Sequence, residues 1–263
     1  MATAVFFHAH PDDEAIGTGG TMARAAAEGH RVVLVTATRG EYGETPEGLL
    51  RDGETLAERR SEELAVACEI LGVARWEFLD YIDSGYFDRP ENNAPDNFAN
   101  SDLEEAARRL ADLLIEENAD VLTFYDEDGL YGHIDHIKVN RVGVRAAEIA
   151  GTKRIYLSTL NRDAIAALMP RAESLGMQVD DELIEMSKTI GVPEERITTS
   201  IDVRAYLDQK RRAMAAHRSQ IEETSFFLSM PPEGFSLVWG TEWYVRTDTE
   251  MTGPWETSLF NGL

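Results

Sequence analysis

The chain has 263 residues, a length typical of one α/β domain, and 43% of them are hydrophobic, which is enough for an ordinary core. Its 48 acidic residues exceed the 25 basic ones, and the net charge of −23 disfavours nucleic acid and anionic membrane surfaces as partners. Cys68 is the only cysteine, which excludes an intramolecular disulfide and a cysteine-rich zinc site.

Strand and helix signals alternate along the first 160 residues. Runs rich in β-branched and aromatic residues predict five strands, at residues 4–7, 31–37, 75–79, 120–125 and 153–158. Helical patterns lie between them, at residues 15–28, 54–71, 101–118 and 134–150, and the Ser-Asp-Leu-Glu run at 101–104 predicts a capping box. This alternation predicts an α/β fold, with a mostly parallel sheet and helices on both faces.

The pattern loosens after residue 158. We expect helices at residues 162–175, 180–189 and 202–222, a short strand at 197–201, and a hairpin or edge strand at 235–245. We interpret residues 1–263 as a single domain, in which residues 1–160 form the core. Residues 161–263 form a small C-terminal lobe that walls the active site.

Neither a secretory signal nor a membrane span is predicted. Residues 1–7 lack the basic start and the long apolar core of a signal peptide, and no apolar run approaches the ~18 residues that a membrane span needs. We therefore expect a cytoplasmic protein with no nucleic-acid or membrane partner, and the sequence is compatible with a homo-oligomer.

Ionisable side chains are concentrated in the turn after the first predicted strand, residues 10–14 (His-Pro-Asp-Asp-Glu). Three acids beside one imidazole are costly unless a cation lies among them. His10 and Asp13 stand three residues apart at a helix start and can face one point, and His136 comes from a second loop at the same edge of the sheet. Two imidazoles and one carboxylate with an open position are typical of catalytic zinc.

The neighbouring residues suggest a hydrolytic mechanism. Asp12 must point away from Asp13, so it can act as general base. His133 can stabilise the oxyanion and protonate the leaving amine. Asp135 can hold a ring nitrogen of His133 or His136 in the required tautomer. Each segment alone also fits a plain structural interpretation, a capped helix at residues 10–13 or a solvated turn at residues 133–136. The two segments together favour a metal-dependent hydrolase.

Other polar features receive structural interpretations. The Gly-Thr-Gly-Gly run at residues 17–20 does not match a phosphate-binding fingerprint, and we expect close helix packing there. His8 and His30 are expected to be hydrogen-bonded structural residues. Glu14 is expected to pair with the helix start or a nearby arginine.

The two motifs together resemble the N-acetylglucosaminyl-phosphatidylinositol de-N-acetylase (LmbE-like) family, which includes mycothiol and bacillithiol deacetylases and amidases. They are residues 9–14 (Ala-His-Pro-Asp-Asp-Glu) and residues 131–136 (Tyr-Gly-His-Ile-Asp-His). Weaker similarities occur at residues 38–41, 60–64, 71–73, 83–85, 210 and 216–220, so the resemblance extends from about residue 4 to 245. The sequence departs from the family at Ile134, where proline is usual.

The resemblance implies a Rossmann-like fold, zinc, and hydrolysis of an N-acyl group on an amino sugar. It implies that His10, Asp13 and His136 bind the metal, and that Asp12 is the general base. His133 would be the acid or oxyanion donor, and Tyr131 would also touch the oxyanion. It further implies that the sugar hydroxyls are held by Glu41, Arg60 and Asp83.

The leading hypothesis is therefore a zinc enzyme that removes an N-acetyl group from a small N-acetylglucosamine-type conjugate, with iron(II) as the alternative metal. One alternative is an amidase of the mycothiol S-conjugate type, which cleaves a larger acyl group. Another is a non-catalytic nucleotide- or sugar-binding module. A site for Mg²⁺ or Ca²⁺ in phosphoester chemistry is disfavoured by two histidine ligands.

Overall fold

A seven-stranded sheet forms the centre of the computed structural model, which describes residues 1–172, 181–248 and 253–263. The order across the sheet is β3-β2-β1-β4-β5-β7-β6. Strands β1 to β5 are parallel, and β7 is antiparallel to both neighbours. The strands are β1 (Thr3–His8), β2 (Arg31–Thr38), β3 (Arg75–Tyr81), β4 (Val121–Tyr125), β5 (Arg154–Thr159), β6 (Thr199–Asp202) and β7 (Thr241–Arg246). The predicted α/β class and mostly parallel sheet are confirmed.

Helices cover both faces of the sheet, as predicted. They are α1 (Gly19–Ala27), α2 (Leu56–Leu71), α3 (Leu103–Glu116), α4 (Gly129–Gly132), α5 (Ile134–Ala150), α6 (Arg162–Leu168), α7 (Asp181–Ser187), α8 (Leu207–Ala216), α9 (Phe226–Ser229) and α10 (Pro232–Trp239). Helices α1, α2 and α8 contribute to the core on one face, and α3 and α5 to the core on the other. Among the described helices, none combines the length and apolarity needed to cross a bilayer.

Strand β1 shows why the sheet is buried on both faces. Phe6 belongs to the core that includes α1 and α2, whereas Val5 and Phe7 belong to the core that includes α3 and α5. Successive side chains of a strand point to opposite faces, so a strand covered on both sides is apolar throughout. This geometry accounts for the continuous apolar run before His8.

Local sequence signals set the starts of α2 and α3, but the capping residue predicted for α3 was wrong. Thr55 and Glu58 form a reciprocal capping box at the start of α2. The capping box predicted at residues 101–104 is wrong, because α3 is capped by Asp102, whose side chain accepts a hydrogen bond from the Glu105 amide. A carboxylate caps a helix as well as a hydroxyl does, so the cap lies one residue later than expected.

The C-terminal third differs most from expectation. The long helix predicted at 202–222 is only α8, which ends where the backbone turns at His217 (φ −81°, ψ 54°). The hairpin or edge strand predicted at 235–245 is instead the end of α10 followed by β7, an interior strand. Pro232 in the first turn of α10 favours a helix over a strand. Helix α6 is shorter than predicted, and residues 173–175 and 180 lie outside the described residues.

The strand order positions the candidate site. Successive connections lead outward from β1 to β2 and β3 on one side, and to β4 and β5 on the other, so the order reverses between β1 and β4. Ligands of open α/β sheets bind at this reversal, outside the carboxyl ends of the strands. The loops after β1 and β4 carry residues 10–14 and 126–133 to this point.

Candidate metal centre and active site

The three predicted metal ligands lie close together at the point where the strand order reverses. Nδ1 of His10 lies 3.3 Å from one carboxylate oxygen of Asp13, and Nε2 of His136 lies 3.4 Å from the other. One ligand atom from each residue falls within 4.8 Å of the other two, a spacing that suits a single metal ion. His10 and His136 are buried, and Asp13 is partly exposed.

His136 supplies an independent indication that the site suits a cation. Neither of its ring nitrogens has a hydrogen-bond partner among the described residues, although the side chain is buried. A buried polar nitrogen without a partner is costly. A metal ion bound to Nε2 would satisfy it, and the set of two nitrogen donors and one oxygen donor fits catalytic zinc.

The charges within the site favour a cation as well. Burial opposes ionisation of Asp13, but attraction to the His136 and His10 imidazoles outweighs it and holds the pKa of the Asp13 carboxyl well below its usual value. Burial likewise opposes protonation of His10, but Asp83, Asp13 and Asp135 raise the pKa of its imidazole well above 6.5. The carboxylates around His10 thus create a strongly negative environment.

Asp135 contacts one more histidine than expected, through its carboxylate. Its carboxylate lies 3.2 Å from Nε2 of His10, and it accepts hydrogen bonds from the backbone amide and the hydroxyl of Ser84. The expected contact with a ring nitrogen of His133 is made by the backbone amide of Asp135, and the carboxylate holds the ring of His10 in addition. An outer carboxylate of this kind directs the opposite ring nitrogen of a histidine toward a metal.

His133 is held as a neutral hydrogen-bond donor. Its Nδ1 accepts a hydrogen bond from the Asp135 amide at 3.2 Å, so a neutral ring carries its proton on Nε2. Burial, together with the charges of His10 and His136, lowers the pKa of His133 to about 4. At neutral pH this ring can therefore donate from Nε2 but is not a cation.

Asp12 lies beside the ligands in an unusual conformation. Its φ of +115° is rare for a residue with a side chain. Burial raises the pKa of its carboxyl to about 6, with Arg60 opposing the shift and Asp13 adding to it. The nearest Arg60 nitrogen lies 3.4 Å from the Asp12 carboxylate. A carboxylate with this raised pKa is well suited to accept a proton.

The three residues predicted to hold a sugar connect the loops at this edge. Arg60 is buried and donates to the carbonyl oxygens of Pro11 at 2.6 Å and Gly40 at 3.0 Å. The backbone amide of Asp83 donates to Glu41 at 3.0 Å, and one carboxylate oxygen of Asp83 lies 3.5 Å from Nε2 of His10. All three thus lie at the candidate site, and their contact with a substrate stays a prediction.

Aromatic side chains form the exposed rim of the site. Tyr131 is 40% exposed, and its ring packs edge-on against His136 with centroids 5.1 Å apart. Tyr86 and Phe87 are 54% and 41% exposed, and both rings lie about 6 Å from that of His133. This pair was not predicted from the sequence, although two adjacent aromatic residues directly after Gly85 in a polar loop were a usable signal.

The glycine-rich run at residues 17–20 packs closely against a neighbouring segment, as expected, and a carboxylate of the chain binds the N-terminus of its helix. A Cβ added to Gly20 would lie 2.5 Å from the side chain of Val203. The amides of Gly20 and Thr21 each donate to the Glu242 carboxylate at 2.8 Å, and Lys210 pairs with the same carboxylate at 2.5 Å. The N-terminus of α1, where a nucleotide phosphate would bind, is therefore occupied by Glu242.

The remaining histidines have structural partners. His8 is buried between the hydroxyls of Tyr125 and Thr18, at 3.0 and 2.9 Å. His30 accepts from the Ala2 amide at 3.2 Å. The expected structural roles are thus supported by contacts.

The partner of Glu14 is a histidine from the far end of the chain. Glu14 pairs with His217 at 2.6 Å, with both side chains fully buried. Glu14 also makes the contact expected at the helix start, because its Oε2 accepts from the Asp12 amide at 2.9 Å. No local pattern relates residues 203 positions apart, so this pair could not be found from spacing.

Comparison with known proteins identifies the family. Residues 5–147 match the profile of the GlcNAc-PI de-N-acetylase (PIG-L) family. The chain belongs to this family. The matched range contains all three candidate metal ligands together with Asp12 and His133, so the resemblance drawn from the two motifs is confirmed.

Curated relatives agree over nearly the whole chain. A 1D-myo-inositol 2-acetamido-2-deoxy-alpha-D-glucopyranoside deacetylase from Thermomonospora curvata is 39% identical, with 98% of this chain and 96% of the relative covered. A protein of the same name from Acidothermus cellulolyticus is 39% identical, covering 93% of this chain and 88% of the relative. The chain is thus an enzyme of the deacetylase class, which hydrolyses an amide carbon–nitrogen bond, and the family is metal-dependent.

Solved structures show the same fold at low identity. The N,N'-diacetylchitobiose deacetylase from Pyrococcus horikoshii has a TM-score of 0.57 and 20% identity, over 94% of this chain and 84% of that one. The 4-carboxy-2-hydroxymuconate hydratase GalB from Pseudomonas putida has a TM-score of 0.62 and 19% identity, over 97% and 99%. Because a hydratase shares the fold with a deacetylase, the fold alone does not decide the reaction.

Proposed function

We propose that this enzyme uses zinc to remove the acetyl group from a small N-acetylglucosamine-type conjugate. The observation that carries the proposal is the clustering of His10, Asp13 and His136 with the Asp12 carboxylate beside them. Deacetylation of such a conjugate is also the activity named for the curated relatives from Thermomonospora curvata and Acidothermus cellulolyticus.

His10, Asp13 and His136 would hold the metal, and zinc bound there would polarise the acetyl carbonyl and lower the pKa of water. Asp12 takes the proton from the attacking water, which its pKa of about 6 allows near neutral pH. His133 donates its Nε2 hydrogen to the carbonyl oxygen as negative charge develops there. Because the His133 ring is neutral, the proton that reaches the leaving amine is the one that Asp12 accepted.

The proposed substrate site combines polar and aromatic groups. Glu41 and Asp83 offer carboxylates for sugar hydroxyls, and the partly exposed Tyr131 would approach the oxyanion. Tyr86 and Phe87 offer aromatic surface on which one face of a pyranose ring can pack. This combination supports a neutral amino-sugar conjugate better than a charged nucleotide, because the N-terminus of α1 is already bound to Glu242.

Zinc is preferred to iron(II) because sites of nitrogen and oxygen donors generally bind Zn²⁺ more tightly than Fe²⁺. Iron(II), which two histidines and one carboxylate also bind, stays the alternative. An amidase with a larger acyl specificity is the competing reaction. The cytoplasmic location, a homo-oligomeric state and the division into a core and a lobe stay predictions.

The proposal is tested by measuring acetate release and metal content. The purified zinc-loaded protein should deacetylate a glucosaminyl-inositol acetamide faster than the same conjugate with a bulky acyl group. Asp12→Asn should lower kcat by about 100- to 10,000-fold with zinc still bound. Asp128→Asn, which alters an exposed acid of the neighbouring loop, serves as the control and should leave kcat unchanged. Full activity in the Asp12 variant would reject the mechanism, and faster release of bulky acyl groups would favour the amidase.

A further inference from the structure

The backbone of Asp12 is held in its rare conformation by contacts on both sides. Its amide donates to Oε2 of Glu14 at 2.9 Å, and its carbonyl oxygen accepts from the amides of Ala15 at 3.0 Å and Ile16 at 3.1 Å. A positive φ in a residue with a Cβ persists only where surrounding contacts enforce it. Glu14 supplies one side-chain contact to this backbone through the Asp12 amide, and Arg60 supplies another through the Pro11 carbonyl oxygen at 2.6 Å.

Glu14 is itself fixed by His217. The second carboxylate oxygen, Oε1, lies 2.6 Å from Nε2 of His217, and the residues are both buried. With one oxygen bound to Asp12 and the other to His217, the carboxylate cannot rotate without losing a buried hydrogen bond. The orientation of the Asp12 amide is therefore coupled to a side chain 205 residues away in the sequence.

Helix α8 brings His217 to this position. Within α8, Lys210 donates to the carbonyl oxygen of Ile16 at 2.7 Å and pairs with Glu242 at 2.5 Å. The first contact holds α8 against the turn that follows Asp12, and the second joins α8 to β7, whose Glu242 also binds the amides at the start of α1. His217 therefore arrives from an anchored element, and its contact with Glu14 is the one that leads to the proposed base.

We propose that Glu14 and His217 are positioning residues for the deacetylation, in which His217 fixes Glu14 and Glu14 fixes the backbone of Asp12, so that the Asp12 carboxylate faces the attacking water. The inference rests on the proposed function, because it takes Asp12 as the base. It gives the C-terminal third of the chain a direct role in turnover, although that part supplies none of the proposed ligands.

Three variants separate positioning from general stability. His217→Phe removes the hydrogen-bond donor at similar size, and His217→Gln retains a donor that can reach Glu14. Ser219→Ala is the matched control, because Ser219 lies in the same segment and bonds the buried Glu63 at 2.6 Å without contacting Asp12. His217→Ala replaces the phenylalanine variant if the phenyl ring prevents folding.

We expect His217→Phe to lower kcat by about 10- to 100-fold, with KM and bound zinc within twofold of wild type. His217→Gln should recover most of the loss, and Ser219→Ala should keep kcat within twofold while lowering the urea midpoint. An unchanged kcat in His217→Phe would overturn the proposal. A fall in kcat that is proportional to the loss of bound zinc or of folded protein would overturn it as well.

A crystal structure of His217→Phe gives a readout that does not depend on activity. We expect the φ of Asp12 to move away from +115° when Glu14 loses its partner. An unmoved Asp12 would overturn the positioning role even if the enzyme deacetylates as proposed. If the wild-type protein releases no acetate, the proposed function fails, and the same structural comparison still decides whether His217 holds Asp12.

Discussion

The Asp135 carboxylate lies 3.2 Å from Nε2 of His10, which joins the first turn of α5 to the loop after β1 through two side chains 125 residues apart. The ring of His10 thus presents Nδ1 to Asp13 and Nε2 to a buried carboxylate. The second carboxylate keeps the ring in one orientation, with a hydrogen on Nε2.

We predict that Asp135→Asn weakens zinc binding by about 10- to 100-fold, because the amide is a poorer acceptor for the His10 Nε2 hydrogen. The dissociation constant, measured by competition with a chromophoric chelator, checks this. Asp128→Asn, which alters an exposed acid between β4 and α4, should bind zinc as wild type does. Equal affinity in the Asp135 variant would show that its contact with His10 does not support the metal.

Removal of the metal should destabilise the protein without unfolding it. We expect the apo protein to keep its sheet, because the two hydrophobic cores do not depend on the metal site. A ligand that binds only the folded state stabilises it by mass action, about 2.7 kcal/mol at 100 times its Kd. Adding zinc to the apo wild type should therefore raise its Tm by several degrees in a thermal-shift assay. His136→Ala should show little zinc-dependent shift, and a full shift in that variant would place the binding site elsewhere.

The buried Lys210–Glu242 pair should matter far more to stability than an exposed pair. Lys210→Met leaves the Glu242 carboxylate without its cation in a site that excludes water, which costs about 3–5 kcal/mol. Urea denaturation at pH 7 measures the free energy of unfolding. Arg204→Ala breaks an exposed pair with Asp202 and should change it little. Similar losses in the two variants would contradict the prediction.

Acid stability should depend on Glu117. Hydrogen bonds from Arg31 and Arg75 outweigh burial and lower the pKa of its carboxyl to about 2, from 4.5 in an unfolded chain. A lowered pKa stabilises the fold above pH 4.5, and this stabilisation is lost as the pH falls toward 2. Glu117→Gln should cost about 1 kcal/mol at pH 7, because partial exposure of Arg31 screens the pair.

The measurement for Glu117 is urea unfolding of both proteins between pH 7 and pH 2.5. The difference between them should be constant down to about pH 5 and should shrink below it. A difference that grows on acidification would reverse the assigned sign.

The aromatic rim should affect substrate binding more than chemistry. Phe87→Ala removes a ring about 6 Å from His133 that is free to pack on a sugar face. We expect KM for an N-acetylglucosamine conjugate to rise several-fold with kcat little changed. Initial-rate kinetics measure both constants, and Ile115→Ala, an exposed apolar residue of α3, serves as the control. A fall in kcat alone would assign Phe87 to the reaction step.

The parts of the site that the sequence could predict were those carried by local spacing. Residues 10–13 and 133–136 each lie within one turn, and the alternation of strands and helices brought both to one edge of the sheet. Contacts between distant segments had no such signal. The contact of the Asp135 carboxylate with His10 and the pairing of Glu14 with His217 depend on how the loop after β1, α5 and α8 pack in three dimensions.

Secondary structure was likewise predicted well where local sequence determines it and poorly where it does not. The first five strands are set by apolar runs buried on both faces, and their predicted positions agree with the structure within two residues at each end. The apolar run at 235–239 was taken for a strand because short apolar segments fit either structure. The proline at residue 232 was the signal that favours a helix there.

Glu242 occupies the N-terminus of α1 permanently, and this has a consequence for protein engineering. In nucleotide-binding proteins with this strand order, the amides at the corresponding helix end bind a phosphate that arrives and departs with the ligand. Here the anion belongs to the chain and reaches the helix on β7. Converting this protein into a nucleotide binder would thus require Glu242 to be removed and Lys210 to find another counter-ion, and each change would disturb the packing of α8.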